Sequence, residues 1–222
     1  MLENEKLPIT EFDELRVLAR IAFKGKLRTI HKIVYQFLKA SKRRINNKFK
    51  KFPRPIDKIQ ATFSIYSEAE DQQTVARSFF ILTYSYFENY LNTLCSLYIT
   101  SFPETTLSVK DISGKGIERA KTYLEKVAKL EPMTTNSEWE KLLALNAVRN
   151  KIVHAGSLSD NDLKKKISKF YDNRTIKINE RDEINISIKF VMNFVEELSI
   201  ILFKTKLIPS NKKLAKKKIR TK

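Results

Sequence analysis

The stretch EAEDQQTVARSFFILTYSYFENYLNTLCSLYITS, Glu68 to Ser101, decides how the whole chain reads. From Ser78 to Phe102 it carries a single charge, Glu88. Its apolar and aromatic residues (Phe79, Phe80, Ile81, Leu82, Tyr84, Tyr86, Phe87, Tyr90, Leu91, Leu94, Leu97, Tyr98) fall on nearly all sides of a 3.6-residue helical turn. A helix that is hydrophobic all round is one that other helices enclose. Lipid is a poor alternative solvent for it. Asn89, Asn92 and several hydroxyls interrupt the stretch, and a carboxylate near mid-span adds about 2.5–3.5 kcal/mol on insertion scales. The stretch therefore reads as the central helix of a soluble bundle, with its aromatics as core and not as a base-stacking platform. Glu88 is then a lone carboxylate in apolar surroundings, to be kept protonated or met by a cation.

Helix signals continue on both sides. Glu11 to about Lys51 is one amphipathic stretch, with Phe12, Leu15, Leu18, Ile21, Leu27, Ile30, Ile33, Val34, Phe37 and Leu38 on its apolar side. Gly25 is the point where it could kink or divide. Its end is strongly basic (Lys42, Arg43, Arg44, Lys48, Lys50, Lys51) and runs into Pro53 and Pro55. After the central helix, a loop over 103–116 leads to a modest helix from about Ile117 to Leu130, stopped at Glu131-Pro132-Met133. Ser137-x-x-Glu140 has the pattern of a capping box, in which side chain and backbone at a helix start satisfy each other. Trp139 anchors the helix that follows, and Gly156 stands where a C-terminal cap belongs. A short helix from Asp160 to Tyr171 comes next. Ile176/Ile178 and Ile184/Ile186 alternate about the polar turn Asn179 to Asp182, a hairpin pattern. A last amphipathic helix covers Ile188 to Leu207 and ends before Pro209.

The expected architecture is all-α: a helical bundle with long N-terminal helices, a small β-hairpin insertion near 175–187 and a basic C-terminal tail. Residues 1–207 form one domain, with a core of about 68–207 preceded by a long helical arm. Residues 208–222 form a flexible lysine-rich tail. The first residues, MLENEKLPITEFDEL, are acidic and polar, with no signal-peptide pattern.

Composition bounds the partners. Of 222 residues 43 are Lys or Arg and 25 Asp or Glu, a net charge of +18, which points to a polyanion such as nucleic acid or an anionic surface. The basic end of the first helix is then either a solvated face or a track for phosphates, and the basic C-terminus adds weight to the second. Cys95 is the only cysteine and there are two histidines, so no disulfide, thiolate cluster or dedicated metal site is expected. A reducing cytoplasm is the expected compartment. No glycine-rich phosphate loop supports nucleotide hydrolysis, and no cofactor is implied.

One segment breaks its own local rule. In LLALNAVRNKIVHAGS, Leu142 to Ser157, the residues Leu142, Leu145, Val148, Ile152 and Val153 cover one arc of a helix, and Arg149 falls inside that arc. A guanidinium on a core-facing arc needs a carboxylate, a phosphate or another surface, and Glu88 is the candidate carboxylate. Asn146, Asn150 and His154, four residues apart, form a polar stripe along the edge of the arc.

The element Arg149-Asn150-Lys151-Ile152-Val153-His154 is R-N-x-x-x-H at a helix end. At these residues the chain resembles the HEPN superfamily, whose signature is an Arg and a His separated by four to six residues. The frame resembles it too: an earlier aromatic helix with a lone acid (Tyr86-Phe87-Glu88-Asn89-Tyr90) and a capped motif helix entered through a Trp. The resemblance covers about Glu68 to Leu207. It implies a metal-independent endoribonuclease of a toxin–antitoxin or antiviral defence system, acting as a homodimer on RNA. The charge of +18 would in turn suit an acidic antitoxin or sensor subunit as restraint, and no role at a membrane is expected. By position, Arg149 and His154 would be the catalytic pair, Asn150 an accessory polar residue and Glu88 a supporting acid. Lys151, Arg43, Arg44, Lys48, Lys50 and Lys51 would contact nucleic acid. A branch of the superfamily controlled by nucleotidylation has a tyrosine two residues past the histidine. This chain has Gly156 there, which speaks against that control.

The residue chemistry is compatible. RNA is cleaved by its own 2′-hydroxyl when a base takes the proton and a cation stabilises the phosphorane. Imidazole, with an unperturbed pKa near 6.5, can serve as base or acid, and such help contributes typically 10²–10⁴-fold. A guanidinium can hold the phosphate bidentately. The motif contains one histidine, so the acid for the leaving oxygen would come from a second copy of the chain; His31 has no orienting carboxylate or amide close by in sequence. Arg149 and His154 lie about 140° apart on an ideal helix, so they meet only through the length of the arginine, a frayed last turn or a dimer. Plainer readings stand beside this one. In them His154 merely caps its helix, and Arg149 with Glu88 is a structural ion pair. The alternatives for the whole chain are a non-catalytic HEPN-like module binding RNA or a partner protein, and an unrelated helical protein whose basic arms bind DNA, RNA or an acidic membrane surface.

Overall fold

The computed structural model describes residues 11–51, 57–172 and 175–204, with side chains over 11–47, 62–172 and 175–201. The expected tail at 208–222, the acidic residues before 11 and the end of the last helix at 205–207 lie outside the described residues. Within them the architecture is all-α with one small hairpin, as the sequence predicts. The order is α1 (Glu11–Lys51), α2 (Asp57–Ser101), a 3₁₀ turn (Val109–Asp111), α3 (Gly116–Lys126), α4 (Asn136–His154), α5 (Asn161–Ser168), β1 (Ile176–Ile178), β2 (Ile184–Ile186) and α6 (Ile188–Lys204).

Glu11, Asp13 and Glu14 occupy the first turn of α1, where unpaired N–H groups favour negative charge. Phe12, Phe23, Leu27, Ile30 and Val34 then recur at helical spacing and are buried. Gly25 does not divide the helix, which runs unbroken from Glu11 to Lys51. A methyl added there would meet nothing within 4 Å, and the Thr29 hydroxyl donates to the Gly25 carbonyl at 3.1 Å. The second long helix starts at Asp57, about three turns ahead of the expected Glu68. It is also not enclosed on every side. Ala76, Phe80, Thr83, Tyr84, Phe87, Leu91, Leu94 and Cys95 form its buried face, while Leu82 and Asn89 are exposed.

The chain forms two compact units. The first contains 11–24, Phe87–Met133 and 201–204 of the described residues. In it Phe12 meets the ring of Tyr98 edge-on at 5.4 Å, and Phe23 stacks on Tyr90 at 4.8 Å. α3 buries Ile117, Ala120, Tyr123 and Leu124, and the Tyr123 hydroxyl donates to the Leu107 carbonyl at 3.0 Å. Burial of each such ring contributes about 1.5–3 kcal/mol. α3 ends at Lys126, short of the expected Leu130. Lys129 turns into the left-handed region at φ 54°, and Leu130 N–H returns to the Leu124 carbonyl at 2.9 Å, closing the helix.

Glu88 belongs to this first unit and corrects a second expectation. It is half-buried, not a core carboxylate, so desolvation does not oblige it to find a cation. Its Oε1 lies 3.0 Å from where a Cβ on Gly116 would stand.

The second unit contains Gly25–Tyr86 and Thr134–Ile200. Here α1 and α2 run antiparallel side by side. The Arg44 guanidinium donates to both carboxylate oxygens of Glu68 at 2.6–3.2 Å, and Gln72 Nε2 donates to Ser41 Oγ at 2.6 Å. Phe80, Tyr84, Phe190 and Phe194 bring α2 and α6 together, with centroids 5.7–6.4 Å apart. The Tyr84 hydroxyl donates to the Leu142 carbonyl at 3.3 Å, tying α4 to α2. The hairpin pairs Ile176 with Ile186 and Ile178 with Ile184.

Candidate functional site

The helix that carries the motif starts two residues earlier than expected. Thr135, not Ser137, is its cap: Glu138 N–H donates to Thr135 Oγ1 at 3.2 Å, and Thr135 N–H to Glu138 Oε2 at 2.9 Å. Both T-x-x-E and S-x-x-E fit the capping pattern. The earlier one adds backbone hydrogen bonds to the helix, and Glu140 accepts instead from Lys169 Nζ at 2.6 Å.

Leu142, Ala144, Leu145 and Val148 are buried along α4, and from there the arc opens. Ile152 is half-buried and Val153 is 43% exposed. Arg149 is therefore half-buried on the margin of the core, not within it. Its Nη1 donates to Asn150 Oδ1 at 3.0 Å. Its Nε is buried with no hydrogen-bond partner among the described residues. Asn150 and His154 are both exposed, and Asn146 is half-buried. The bond joins the guanidinium to a member of the polar stripe that includes His154, and α4 is regular as far as His154.

The end of α4 is held firmly. Gly156 and Ser157 adopt φ of 59° and 70°, and the N–H groups of Ala155 and Ser157 both return to the Lys151 carbonyl, at 3.0 and 3.1 Å. Gly156 is thus the cap that the sequence predicts. The chain then lies along β2: Ile184 N–H donates to the Ser157 carbonyl at 2.9 Å, and Ser159 N–H to the Asp182 carbonyl at 2.8 Å. β2 in turn rests on α2, through Arg77 Nη2 on the Ile184 carbonyl at 2.7 Å and Ile186 N–H on Gln73 Oε1 at 3.0 Å. The hairpin insertion acts as the bracket that sets where the motif helix stops.

Lys151 is engaged with Asp160, Nζ to Oδ2 at 2.7 Å. Asp160 also caps α5, accepting from Leu163 N–H at 2.8 Å. The hydrogen bond from Lys151 and then that from Leu163 hold the Asp160 carboxyl below its usual range. Of the other residues expected to contact nucleic acid, Arg43 is exposed, and Arg44 is taken up by Glu68, which is only 3% exposed. Lys48, Lys50 and Lys51 are on the last turns of α1, and their side chains lie outside the described residues.

Arg149, Asn150, Lys151 and His154 stand together on α4 in the second unit, and Glu88 falls in the first. His31 has a carboxylate that sequence proximity does not reveal: its Nε2 is 3.4 Å from Glu196 Oε1 on α6. Lys165 and Lys166 of α5 are exposed as well; in a sequence, a lysine run on a short helix reads as a solvated face. Among the described residues no three His, Cys, Asp or Glu side chains are grouped where they could share a metal ion, and no helix is long and apolar enough to cross a membrane. No model of a known protein family matches this chain, and no curated protein or solved structure does.

Proposed function

We propose that this chain is a metal-independent endoribonuclease of the HEPN type, working in the cytoplasm as a homodimer within a toxin–antitoxin or antiviral defence system. The observation that carries the reading is the Arg149–Asn150 hydrogen bond of 3.0 Å. It joins the Arg149 guanidinium to exposed Asn150, on the helix that also exposes His154.

In the proposed reaction, His154 takes the proton of a ribose 2′-hydroxyl, whose oxygen attacks the adjoining phosphorus. Arg149 stabilises the charge on the non-bridging oxygens as the phosphorane forms. The bond to the 5′-oxygen breaks, and that oxygen leaves with a proton from an imidazolium, supplied by His154 of a second copy across a two-fold axis. The products are a 2′,3′-cyclic phosphate and a 5′-hydroxyl. Asn150 orients the guanidinium. The net charge of +18 suits an acidic antitoxin or sensor subunit as the restraint.

The test is cleavage of RNA by the purified chain in EDTA, with the ends analysed by mass. Expected are 2′,3′-cyclic phosphate termini, lost in Arg149→Ala and in His154→Ala while the circular dichroism of both stays unchanged. Cleavage that needs a divalent ion, or that persists in both variants, removes the reading. RNA bound but never cut would leave a non-catalytic binding module in its place.

A further inference from the structure

α1 carries no acidic residue after Glu14, and its contacts within the second unit fix which of its sides faces solvent. Lys26 Nζ lies 4.9 Å from the centre of the Tyr86 ring, Ser41 meets Gln72 and Arg44 meets Glu68, all on α2. His31 faces Glu196 of α6. Leu27, Ile30 and Val34 fall between those two sides of the helix and are buried. Arg28, Lys32, Gln36 and Lys39 recur at helical spacing and are exposed. On an ideal helix Lys32 stands about 140–160° from Leu27, Ile30 and Val34, so these four residues form one row along the outer face. Arg28, Lys32 and Lys39 have no ion-pair partner among the described residues. The packed helices leave the row uncompensated. The three contacts with α2 set residues 28–39 beside about 73–84 of that helix, and α2 has no Asp or Glu from Gln72 to Tyr86. On the other margin Glu196 lies against His31, about 100° round the helix from Lys32, and Glu197 turns to Lys141. Exposed Glu70 and Asp71 come level with Lys42 and Arg43 and end the row there.

We infer that this row is a second RNA-contact surface, in which Arg28, Lys32 and Lys39 neutralise backbone phosphates and Gln36 donates to a phosphate or ribose oxygen. The helix holds the three cations in line, about 6 and 10.5 Å apart. A linear polyanion is the partner that meets such a row along its length, and side chains of these types make most contacts to phosphate and sugar. Acyl chains or a protein partner would need an apolar centre to the face. No apolar residue lies on this line: exposed Ile33 and Tyr35 stand about 100° and 60° to either side of Lys32. Phosphate contacts carry no base information, so the row positions RNA and does not read its sequence. The inference rests on RNA as the partner but not on its cleavage.

The experiment is fluorescence anisotropy of labelled single-stranded RNA with full-length His154→Ala protein over a range of salt, which separates binding from cutting. Replacing Arg28, Lys32 and Lys39 together by Ala should lower the salt slope by about 2 and weaken binding roughly 100-fold at about 0.1 M salt, the loss of three single-strand phosphate contacts. Two RNAs of unrelated sequence should lose equally. Gln36→Glu sets a carboxylate within the row and should weaken binding with every cation in place. Lys165, Lys166 and Lys189 are exposed on α5 and α6, and their joint replacement by Ala removes the same charge elsewhere. That variant should keep the slope. An equal loss in both triple variants would assign the effect to overall charge and overturn the proposal. So would an unchanged slope in the Arg28/Lys32/Lys39 variant, no RNA binding by the parent, or unchanged RNA affinity with weakened binding to phosphatidylserine vesicles. RNA held by the row but never cut supports this surface and removes the nuclease, whereas cutting with an unchanged slope does the reverse.

Discussion

Glu88 and Gly116 are fitted to each other: the Oε1 of the acid fills the space that a Cβ at the glycine would need, 3.0 Å from its ideal position. Gly116 opens α3 with φ at 51°, a conformation that side chains other than glycine's resist. A carboxylate that the sequence marks as unusual thus has a structural relation that accounts for its place. Gly116→Ala should destabilise the fold by about 1–2 kcal/mol from backbone strain alone, lowering Tm by roughly 2–8 °C. The contact with Glu88 adds to this. In a Glu88→Ala background the substitution should cost less, and urea unfolding of the four-member cycle measures the difference. Additive effects would show that the two residues do not share the space.

The start of α4 can be checked in the same way. Thr135→Ala removes the observed cap and should cost about 1 kcal/mol. Ser137→Ala should stay within about 0.5 kcal/mol of the parent. Chemical denaturation that ranks the two the other way would move the helix start back to Ser137.

Asn150→Ala separates orientation from chemistry. Asn150 is exposed, so its loss should leave the unfolding midpoint in place. It also releases Arg149 Nη1 from a hydrogen bond with a charged donor, an interaction in the range of about 1.5–3 kcal/mol. The cleavage rate should fall roughly tenfold or more, yet less than in Arg149→Ala or His154→Ala. An unchanged rate would mean that Asn150 has no part in aiming the guanidinium.

The clasp between α4 and α5 should respond to acid. The Asp160 carboxyl is held low by the hydrogen bond from Lys151, then by Leu163 N–H. A depressed carboxyl stabilises the fold above its unfolded pKa of about 4, and the contribution disappears as pH falls from there through the folded value. Exchange of the Leu163 amide should therefore accelerate as pH is lowered below about 4, beyond its intrinsic change. Asp160→Asn keeps an N-cap acceptor but carries no charge, so its exchange should lack that step.

The local elements were readable because their signals lie in adjacent residues. The acidic first turn marks the start of α1, and Pro53 and Pro55 bound its end. The isoleucine alternation sets the hairpin register, and Asp160 and Gly156 mark a helix start and a helix end. Two local signals compete at Thr135 and Ser137, and spacing alone does not say which cap leaves Glu140 for Lys169. The helical signal of 57–67, with Ile59, Phe63 and Tyr66 at i, i+4 and i+7, is short and follows two prolines, so the apolar run from Ser78 outweighs it and the expected start falls at Glu68 instead of Asp57.

By itself, the sequence determined the all-α class, the hairpin, the basic excess and the R-N-x-x-x-H segment at the end of a capped helix. Helical period, capping chemistry and net charge need no distant partner. Only the tertiary structure decided that Glu88 meets Gly116, that Glu68 takes up Arg44, that Lys151 holds Asp160, that His31 faces Glu196 and that Arg149 turns toward Asn150. The physical reason is that the environment of a charge is set by whatever packs against its helix, and most of these partners are remote in the chain.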